Sequence, residues 1–506
     1  MDITVAGAGD GGSGGGRRTW VVEVERTLHD APDAAAEASR WRRHCIYRVP
    51  ACIKDLKPKA YQPQVVSLGP FHHGDPGLAP MEAHKRRALR HLLRRAARPL
   101  ADFVAAVEAV ADRLEAAYLD LGDGWRGGEA RERFLEMMIV DGCFLLEVMR
   151  AAAAVSPAPA AAAAAGKPHA AAAAKEEEDY AENDPVFSRH GVLYMVPYIR
   201  RDMLMLENQL PLLVLERLLF VETERANVAH SRVSNEDHIN RMVLRFLSPS
   251  ARTPALGTPL GHHPLDALRR SMLHGEYQSP RRGHGAGARA HLHRDIIRPA
   301  AYADDGGGDI IRSAVELYEA GIRFRRARTD SLHDVRFRHG VLAMPPVAVD
   351  DSTEYMLLNM MAFERLHPGA GNDVTAYVFF MDSIIDSAKD VALLSSKGII
   401  QNAVGSDKAV AKLFNSISKD VVLEPESALD GVQRQVNAYC RQPWNMWRAN
   451  LIHTYFRSPW AFMSLAAAMF LLVMTVMQTV YTVLPFYQNK DAAGGGGGGS
   501  AAPSPM

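Results

Sequence analysis

The segment from Trp460 to Leu484, WAFMSLAAAMFLLVMTVMQTVYTVL, is 25 residues long and contains no charged side chain. As an α-helix it would be about 37 Å long, and the hydrocarbon core of a bilayer is about 30 Å thick. The alternative is a buried helix of a soluble core, but soluble helices of this length show a charged face. The segment therefore predicts a transmembrane helix, anchored by Trp460, Phe470, Leu471, Leu472, Val476 and Leu484.

The residues that flank this segment predict its orientation. Residues 431–457 contain Arg434, Arg441, Arg448 and Arg457 and no acidic residue, whereas residues 485–506 carry only one Lys and one Asp. Basic residues stay on the cytoplasmic side of a membrane. With Arg441, Arg448 and Arg457 setting the topology, we expect a cytosolic body and a short tail on the opposite side. We expect a single-pass membrane protein, with the plasma membrane as the favoured location.

Small and polar residues on the same helix form a candidate association face. Such residues let membrane helices pack closely and hydrogen-bond to one another. The alternative is that the hydroxyl groups bond to carbonyls of their own helix. The expected partners are therefore the lipid bilayer, a second copy of the chain and an unidentified protein, with the homo-oligomer contact made by Ser464, Ala468, Thr475, Gln478, Thr479 and Thr482.

Composition excludes several classes of protein. The chain has 58 Lys and Arg residues against 58 Asp and Glu residues, so its net charge is zero and we expect no nucleic-acid partner. Its four cysteines lie far apart without a CxxC motif, which is typical of a reducing compartment. A GxGxxG pattern at residues 7–12 lacks the helix that a dinucleotide site requires. We therefore expect no cofactor, no metal and no catalytic motif.

The predicted fold is mainly α, a helical soluble body with a few short strands and one C-terminal transmembrane helix. Residues 103–121, 129–150, 375–394 and 406–418 have helical periodicity, and residues 335–337 and 341–343 predict a hairpin. Composition shifts divide the chain into segments. A Gly/Ala-rich N-terminus (1–40) precedes a body in three parts (41–150, 184–248 and 310–430), which are separated by an Ala-rich linker (151–183) and a solvated Gly/His/Arg-rich insert (249–309). A juxtamembrane segment (431–459), the membrane helix (460–484) and a tail (485–506) follow.

Four polar residues are candidate acid or base groups of an unfamiliar enzyme. His72 and His73 lie in the loop GPFHHGD, Asp141 lies within a predicted buried helix, and Glu207 begins the triplet Glu207-Asn208-Gln209 before Pro211. Each candidate also has a structural interpretation. The histidines would stabilise a turn, and Asp141 would form an ion pair. The triplet would satisfy backbone groups between two helices. If either histidine shares a deep pocket with Asp141 or Glu207, the enzyme hypothesis gains support.

A dozen short motifs occur in an order that resembles one family of plant proteins. They include CIYRVPACIKDLKPKAYQPQVVSLGPFHHGDPG, MMIVDGCFLLEVM, DMLMLENQLPLLVLERL, ELYEAGIRFRR and YVFFMDSIIDSAKDVALLSSKGIIQN. Between Cys45 and Leu484 the chain is thus similar to the domain of unknown function 247, also called UPF0481. That resemblance implies a mostly helical fold with a C-terminal membrane helix and supplies no catalytic residue.

The resemblance also shapes the expected function. Some grass members of the family are linked to self-incompatibility, a cell-recognition process. The resemblance implies a membrane-anchored, non-enzymatic component of recognition or signalling. The alternative is a membrane-tethered enzyme with an unrecognised active site.

Overall fold

The computed structural model describes residues 33–155, 180–223, 234–248, 257–273, 312–419, 429–442 and 459–493, with a few isolated positions before residue 33 and between 443 and 458. The described residues form two compact units, residues 1–271 with 355–372 (unit 1) and residues 272–354 with 373–506 (unit 2). The mainly helical fold with few short strands is confirmed.

Unit 1 contains ten helices and most of an eleventh among the residues described. Their bounds are α1 Ala34–Trp41, α2 Ala51–Lys54, α3 Ala79–Ala96, α4 Leu100–Glu108, α5 Ala111–Ala117, α6 Gly128–Val155, α7 Arg189–Asp202, α8 Leu212–Thr223, α9 Asn235–Leu247, α10 Pro264–Leu273 and α12 Thr353–Leu366. Short 3-10 turns occupy Pro58–Ala60 and Asp123–Trp125.

Helix α6 is the centre of unit 1. It packs against α3, α4, α7, α8 and α9, and its residues from Met137 to Met149 are all buried, as the continuous apolar run predicted. Burying each large apolar side chain contributes about 1.5–3 kcal/mol. The helix ends at Val155, so residues 151–155 belong to the core element and not to the predicted linker.

Two predicted helices are each divided into two. Residues 103–121 form α4 and α5, because Val110 leaves the helical conformation (φ −118°, ψ 10°) and Tyr118 becomes extended to pair with Ile46. In unit 2, residues 375–394 fall in two helices because Ser387 and Asp390 form a capping box that begins a new one.

Part of the predicted insert at 249–309 is folded core. Residues 257–273 lead into α10, and His263 is fully buried. The prediction of a solvated loop was therefore wrong for this stretch, while His274, His284, His291 and His293 lie outside the described residues.

Unit 2 combines two small sheets with helices. The strands are β1 Arg323–Arg326, β2 Arg336–Arg338, β3 Val341–Met344, β4 Val347–Val349 and β5 Ile400–Asn402, and the helices are α11 Ala314–Glu319, α13 Asp373–Ile384, α14 Ala388–Ser396, α15 Asp407–Ile417, α16 Asp430–Arg441 and α17 Pro459–Ala493. The predicted hairpin is confirmed as the antiparallel pair β2–β3, while β1 adds to β3 in parallel and β4 pairs with β5 in parallel.

Helix α17 contains the predicted membrane segment. Residues Phe462–Leu484 have a mean hydropathy of 1.9, and none of this stretch is buried against the described protein. By length and composition it is the one described helix that could cross a membrane.

Candidate functional site

Two neighbouring segments of unit 1 meet through buried polar groups, and we call this arrangement the polar clamp. One side is residues 49–69, which contain α2, the 3-10 turn Pro58–Ala60 and the non-helical residues 61–69; we call this side the extended chain after its last part. The other consists of Asp141 on α6 together with Asp202, Glu207, Asn208 and Gln209, which lie between α7 and α8. The clamp includes two of the four predicted candidates, Asp141 and Glu207.

Asp202 and Asn208 hold the extended chain by its backbone. The carboxylate of Asp202 accepts hydrogen bonds from the N–H groups of Gln64, Val65 and Val66 at 2.7–3.1 Å. The Asn208 side chain accepts from Leu68 N–H at 2.7 Å and donates to the Val66 carbonyl at 3.0 Å. Buried backbone groups need hydrogen-bond partners. These side chains therefore supply the hydrogen bonds that a neighbouring β-strand would otherwise provide.

Glu207 and Gln209 complete the junction between α7 and α8. Glu207 accepts hydrogen bonds from the Val49 N–H and the Lys54 ammonium, both at 2.8 Å. Gln209 donates to the carbonyls of Met203 and Met205 at 2.6 and 2.7 Å. The prediction that the polar triplet satisfies the backbone between the two helices is therefore confirmed.

The pKa of Glu207 follows from its partners. Burial acts to raise this pKa, but His72, Lys54 and the Val49 N–H lower it more, so the net pKa lies below the ordinary value. The Nε2 atom of His72 is 3.3 Å from Glu207 Oε2. An efficient general base has a pKa close to the operating pH, and Glu207 is shifted away from it.

Asp141 forms a buried ion pair with Lys85. The Lys85 side chain is fully buried, and its ammonium lies 2.7 Å from Asp141, 2.6 Å from Glu82 and 3.1 Å from the Ser67 hydroxyl. Burial acts to lower the pKa of Lys85, but the two carboxylates raise it above its ordinary value. The second Asp141 oxygen accepts the Gly69 N–H at 2.9 Å.

Gly69 lies where the extended chain approaches the clamp most closely. Its φ is +71°, in the left-handed region, and an added Cβ would lie 2.7 Å from both the Gln209 carbonyl oxygen and the Tyr118 hydroxyl. Only glycine fits this position without strain.

The two loop histidines go to different places. His72 contacts Glu207, whereas His73 packs edge-on against Trp125 with ring centroids 5.3 Å apart. His73 and Asp141 line one pocket of about 340 Å³, together with Glu82, Arg86, Gly124, Trp125, Arg133, Glu136, Met137 and Val140. The structure thus brings His73 and Asp141 to one pocket and places His72 beside Glu207.

Sequence reasoning did not identify Lys85, Asp202 and His263 as buried residues of unit 1. Lys85 lies on the same stripe of α3 as Met81, Ala88 and Leu92, and a cation on an apolar stripe is a signal that could have identified it. His263 contacts the Cys45 carbonyl at 3.0 Å and accepts the Asp266 N–H at 3.3 Å. Burial lowers the pKa of His263 to about 3.

The predicted membrane residues all lie on α17. Trp460, Phe470, Leu471, Leu472, Val476 and Leu484 are exposed. Thr475, Thr479 and Thr482 of the candidate association face donate to the carbonyls of Leu471, Thr475 and Gln478 at 2.7–2.8 Å, while Ser464 and Ala468 are exposed on the same helix. Arg441 is exposed at the end of α16, and Arg448 and Arg457 lie outside the described residues.

A helical body carrying one exposed apolar helix defines the class of protein, and comparison with known proteins gives its family. A family model described as a plant protein of unknown function, DUF247, matches residues 46–474. The chain belongs to the DUF247 family, as its motifs predicted.

Two relatives from Arabidopsis thaliana match almost the whole chain. UPF0481 protein At3g47200 is 29% identical over 471 residues, which cover 91% of this chain and 90% of the relative. Putative UPF0481 protein At3g02645 is 22% identical over 539 residues, covering 91% and 93%. No solved structure matches the chain significantly.

Proposed function

We propose that this protein is a single-pass membrane-anchored component of recognition or signalling, with a non-enzymatic body that faces the cytosol. The proposal rests on the hydrogen bonds and ion pairs that occupy the buried ionisable groups of the polar clamp. Asp141, Asp202 and Glu207 each accept backbone N–H groups of the extended chain, and Lys85 is shared among three oxygens. Groups engaged in this way support a rigid binding body more than proton-transfer chemistry.

The membrane part of the proposal is supported by the surface of α17. An exposed apolar surface on a helix of this length is costly in water and marks a membrane or protein contact. The 23 residues Phe462–Leu484 fit the thickness of a bilayer. The excess of arginine before this helix supports a cytosolic body.

Protease protection on intact membrane vesicles tests the orientation. The full chain would carry one epitope tag at each terminus, and protease would be added from the cytosolic side. We expect the N-terminal tag to be digested and the C-terminal tag to survive until detergent opens the vesicles. A protected body with a digested C-terminal tag would overturn the proposed orientation, and the body would then be sought as a receptor on the opposite face.

Self-association through α17 is a separable part of the proposal. Gln478 carries an amide inside the apolar segment, where an unpaired polar group is costly and a second helix can bond to it. We expect Gln478→Leu combined with Thr479→Leu to abolish detergent-stable self-association, and Val476→Leu with Met477→Leu to preserve it. Unchanged association of the first variant would contradict a role for this face.

One observation favours the alternative, a membrane-tethered enzyme. His73 and Asp141 share the 340 Å³ pocket of unit 1, although Asp141 is already bound by Lys85. An activity on ester, phosphate or glycoside substrates that is lost in His73→Asn with unchanged thermal stability would establish this alternative. No turnover by the wild-type chain on these substrate classes would count against it.

A further inference from the structure

The segment Arg323–Arg338 of unit 2 concentrates positive charge. Its sequence, RFRRARTDSLHDVRFR, contains six arginines and two aspartates. The arginines alternate with apolar residues at both ends, which is the pattern of strands with one buried and one exposed face. Strands β1 and β2 lie at these two ends.

The register of the sheet brings four of these arginines to one face. Strand β3 lies in the middle, with Arg325 and Arg336 on either side of Ala343, and Arg323 and Arg338 on either side of Val341. Residues directly opposite one another in a sheet point to the same side. We call the face formed by Arg323, Arg325, Arg336 and Arg338 the arginine face.

The other face of the sheet fixes these arginines toward solvent. Phe324, Phe337, Leu342 and Met344 are buried on that face, while the four arginines are exposed. Adjacent strands are about 4.8 Å apart, so the two arginine backbones of each row stand about 10 Å apart. The short side chains of Val341 and Ala343 leave the space between them open.

Few counter-charges neutralise the arginine face. The Nε atom of Arg336 lies 2.8 Å from Asp334. Within the part of the chain that the structure describes, Arg323, Arg325 and Arg338 have no ion pair or side-chain hydrogen bond. The arginines of β1 and β2 lie on either side of β3, so a bound anion would be attracted to several guanidinium groups at once.

A large open cavity lies along this face. Its volume is about 1190 Å³, and its lining includes Arg325, Arg336, Arg338, Val341 and Ala343 from this face. Two carboxylates also line it, Asp334 beside Arg336 and Asp373 beside His333. The planar guanidinium group forms paired hydrogen bonds with phosphate oxygens. Two rows of arginine about 10 Å wide therefore suit a ligand that carries more than one phosphate.

We propose that the arginine face binds the phosphorylated headgroups of anionic membrane lipids. This inference rests on the membrane anchoring proposed above. Helix α16 packs on β2, with the rings of Phe337 and Tyr439 5.6 Å apart. Residues 442–458 alone separate α16 from α17, and 17 residues span at most about 60 Å. An inserted α17 thus keeps the sheet near the lipid surface, and the cytoplasmic leaflet is negatively charged.

Arginine footprinting on the full chain tests the proposal in a membrane. The chain would be reconstituted in nanodiscs of phosphatidylcholine with or without phosphatidylinositol 4,5-bisphosphate and treated with phenylglyoxal. We expect the phosphoinositide to slow modification of Arg325 and Arg338 about tenfold, and to leave the exposed Arg90 on α3 unchanged. Equal rates in the two kinds of disc would overturn the proposal.

A third footprinting condition separates the lipid from a soluble phosphate. Inositol 1,4,5-trisphosphate would be added at micromolar concentration to the phosphatidylcholine discs. We expect much weaker protection than the lipid gives, because the disc holds the lipid headgroup at high local concentration. Equal protection by the soluble compound would overturn the lipid assignment and identify a soluble polyphosphate as the occupant.

A binding measurement in detergent tests the site without any membrane topology. The full chain would be titrated with dioctanoyl phosphatidylinositol 4,5-bisphosphate. Each arginine near an anionic surface contributes about 1 kcal/mol, so Arg325→Gln with Arg338→Gln should weaken binding about 30-fold. The control, Lys408→Gln with Lys412→Gln, removes the same charge from exposed positions on α15 and should stay within about twofold. Equal weakening in both variants, or none in the first, would refute the site.

The outcomes distinguish this inference from the proposed function. Arginine-dependent binding in detergent together with an inverted protease-protection pattern would retain the site and reject the cytosolic orientation. A C-terminal tag that survives protease, together with arginines that phenylglyoxal modifies equally in both kinds of disc, would retain the cytosolic orientation and reject the lipid site.

Discussion

Charged side chains have opposite environments in the two units. In unit 1, Lys85 is fully buried and its ammonium lies within 3.1 Å of three oxygens. In unit 2, Arg325 and Arg338 are exposed beside a 1190 Å³ cavity. The polar clamp thus uses charge to join segments of the chain, whereas the arginine face presents its charge to solvent.

The difference shows why a charged residue in a pocket is weak evidence for catalysis. A buried charge is strongly destabilising without its partner, so a carboxylate such as Asp141 indicates first that a cation and N–H donors surround it. An exposed group of like charges has no such structural explanation. We therefore expect changes in the clamp to affect stability and changes in the arginine face to affect binding.

The largest expected effect is on the buried ion pair. Lys85→Met leaves Asp141 charged and buried without its cation, and we expect it to lower the free energy of unfolding by about 3–5 kcal/mol. Denaturant titration of the full chain in detergent measures this. Arg90→Met on the exposed side of the same helix should change it by less than about 0.5 kcal/mol. A loss below about 1 kcal/mol for Lys85→Met would contradict a buried ion pair.

A glycine pair in one loop separates crowding from backbone strain. Gly69 and Gly74 both have positive φ, but only Gly69 is crowded by the clamp. We expect Gly74→Ala to cost about 1 kcal/mol from strain alone and Gly69→Ala about 2–4 kcal/mol, because overpacking adds to it. Thermal unfolding of both variants measures the difference, and equal losses would show that the close approach at Gly69 is absent.

Acid should destabilise unit 1 through His263. Because its native pKa is about 3 and that of an unfolded histidine is about 6.5, the unfolded state binds a proton that the native state does not between these values. Stability therefore falls as the pH drops, by about 2 kcal/mol from pH 7 to pH 5.

His263→Gln should remove this part of the pH dependence, as measured by denaturant titration at the two pH values. The exposed His190→Gln should retain it. An unchanged pH dependence in His263→Gln would mean that the imidazole is not held neutral.

The smallest expected effect on stability is at the arginine face. Arg325→Gln with Arg338→Gln removes two exposed charges that form no ion pair among the described residues, so we expect the unfolding free energy to stay within about 0.5 kcal/mol of wild type. Thermal unfolding in detergent measures it. A loss above about 1 kcal/mol would show that these arginines stabilise the fold, as Lys85 does.

Much of the helical fold could be predicted from the sequence, because apolar periodicity reports local structure directly. The core helix α6, the hairpin β2–β3 and the junction at Glu207–Gln209 all follow from short-range patterns. The end of α5 could not be predicted, since Tyr118 is extended there to pair with Ile46, far away in the chain.

The candidate site was harder to predict because its partners are distant in sequence. Asp141 clearly needed a cation, but the sequence offers dozens, and only the packing of α3 on α6 selects Lys85. Likewise, the arginine face exists because β1 joins β3 in parallel, a pairing that the hairpin pattern does not contain. His263 was misjudged because its Gly- and Pro-rich neighbours resemble a solvated loop.

The polar clamp has a consequence for how this protein is made. Its hydrogen bond between Leu68 and Asn208 joins residues 140 positions apart. At a synthesis rate of about 5–20 residues per second, the extended chain at 49–69 emerges about 7–30 s before the segment that satisfies its backbone. During that interval its apolar residues and backbone N–H groups remain exposed to solvent. The polar clamp should therefore form, and this part of unit 1 finish folding, only after Gln209 has left the ribosome.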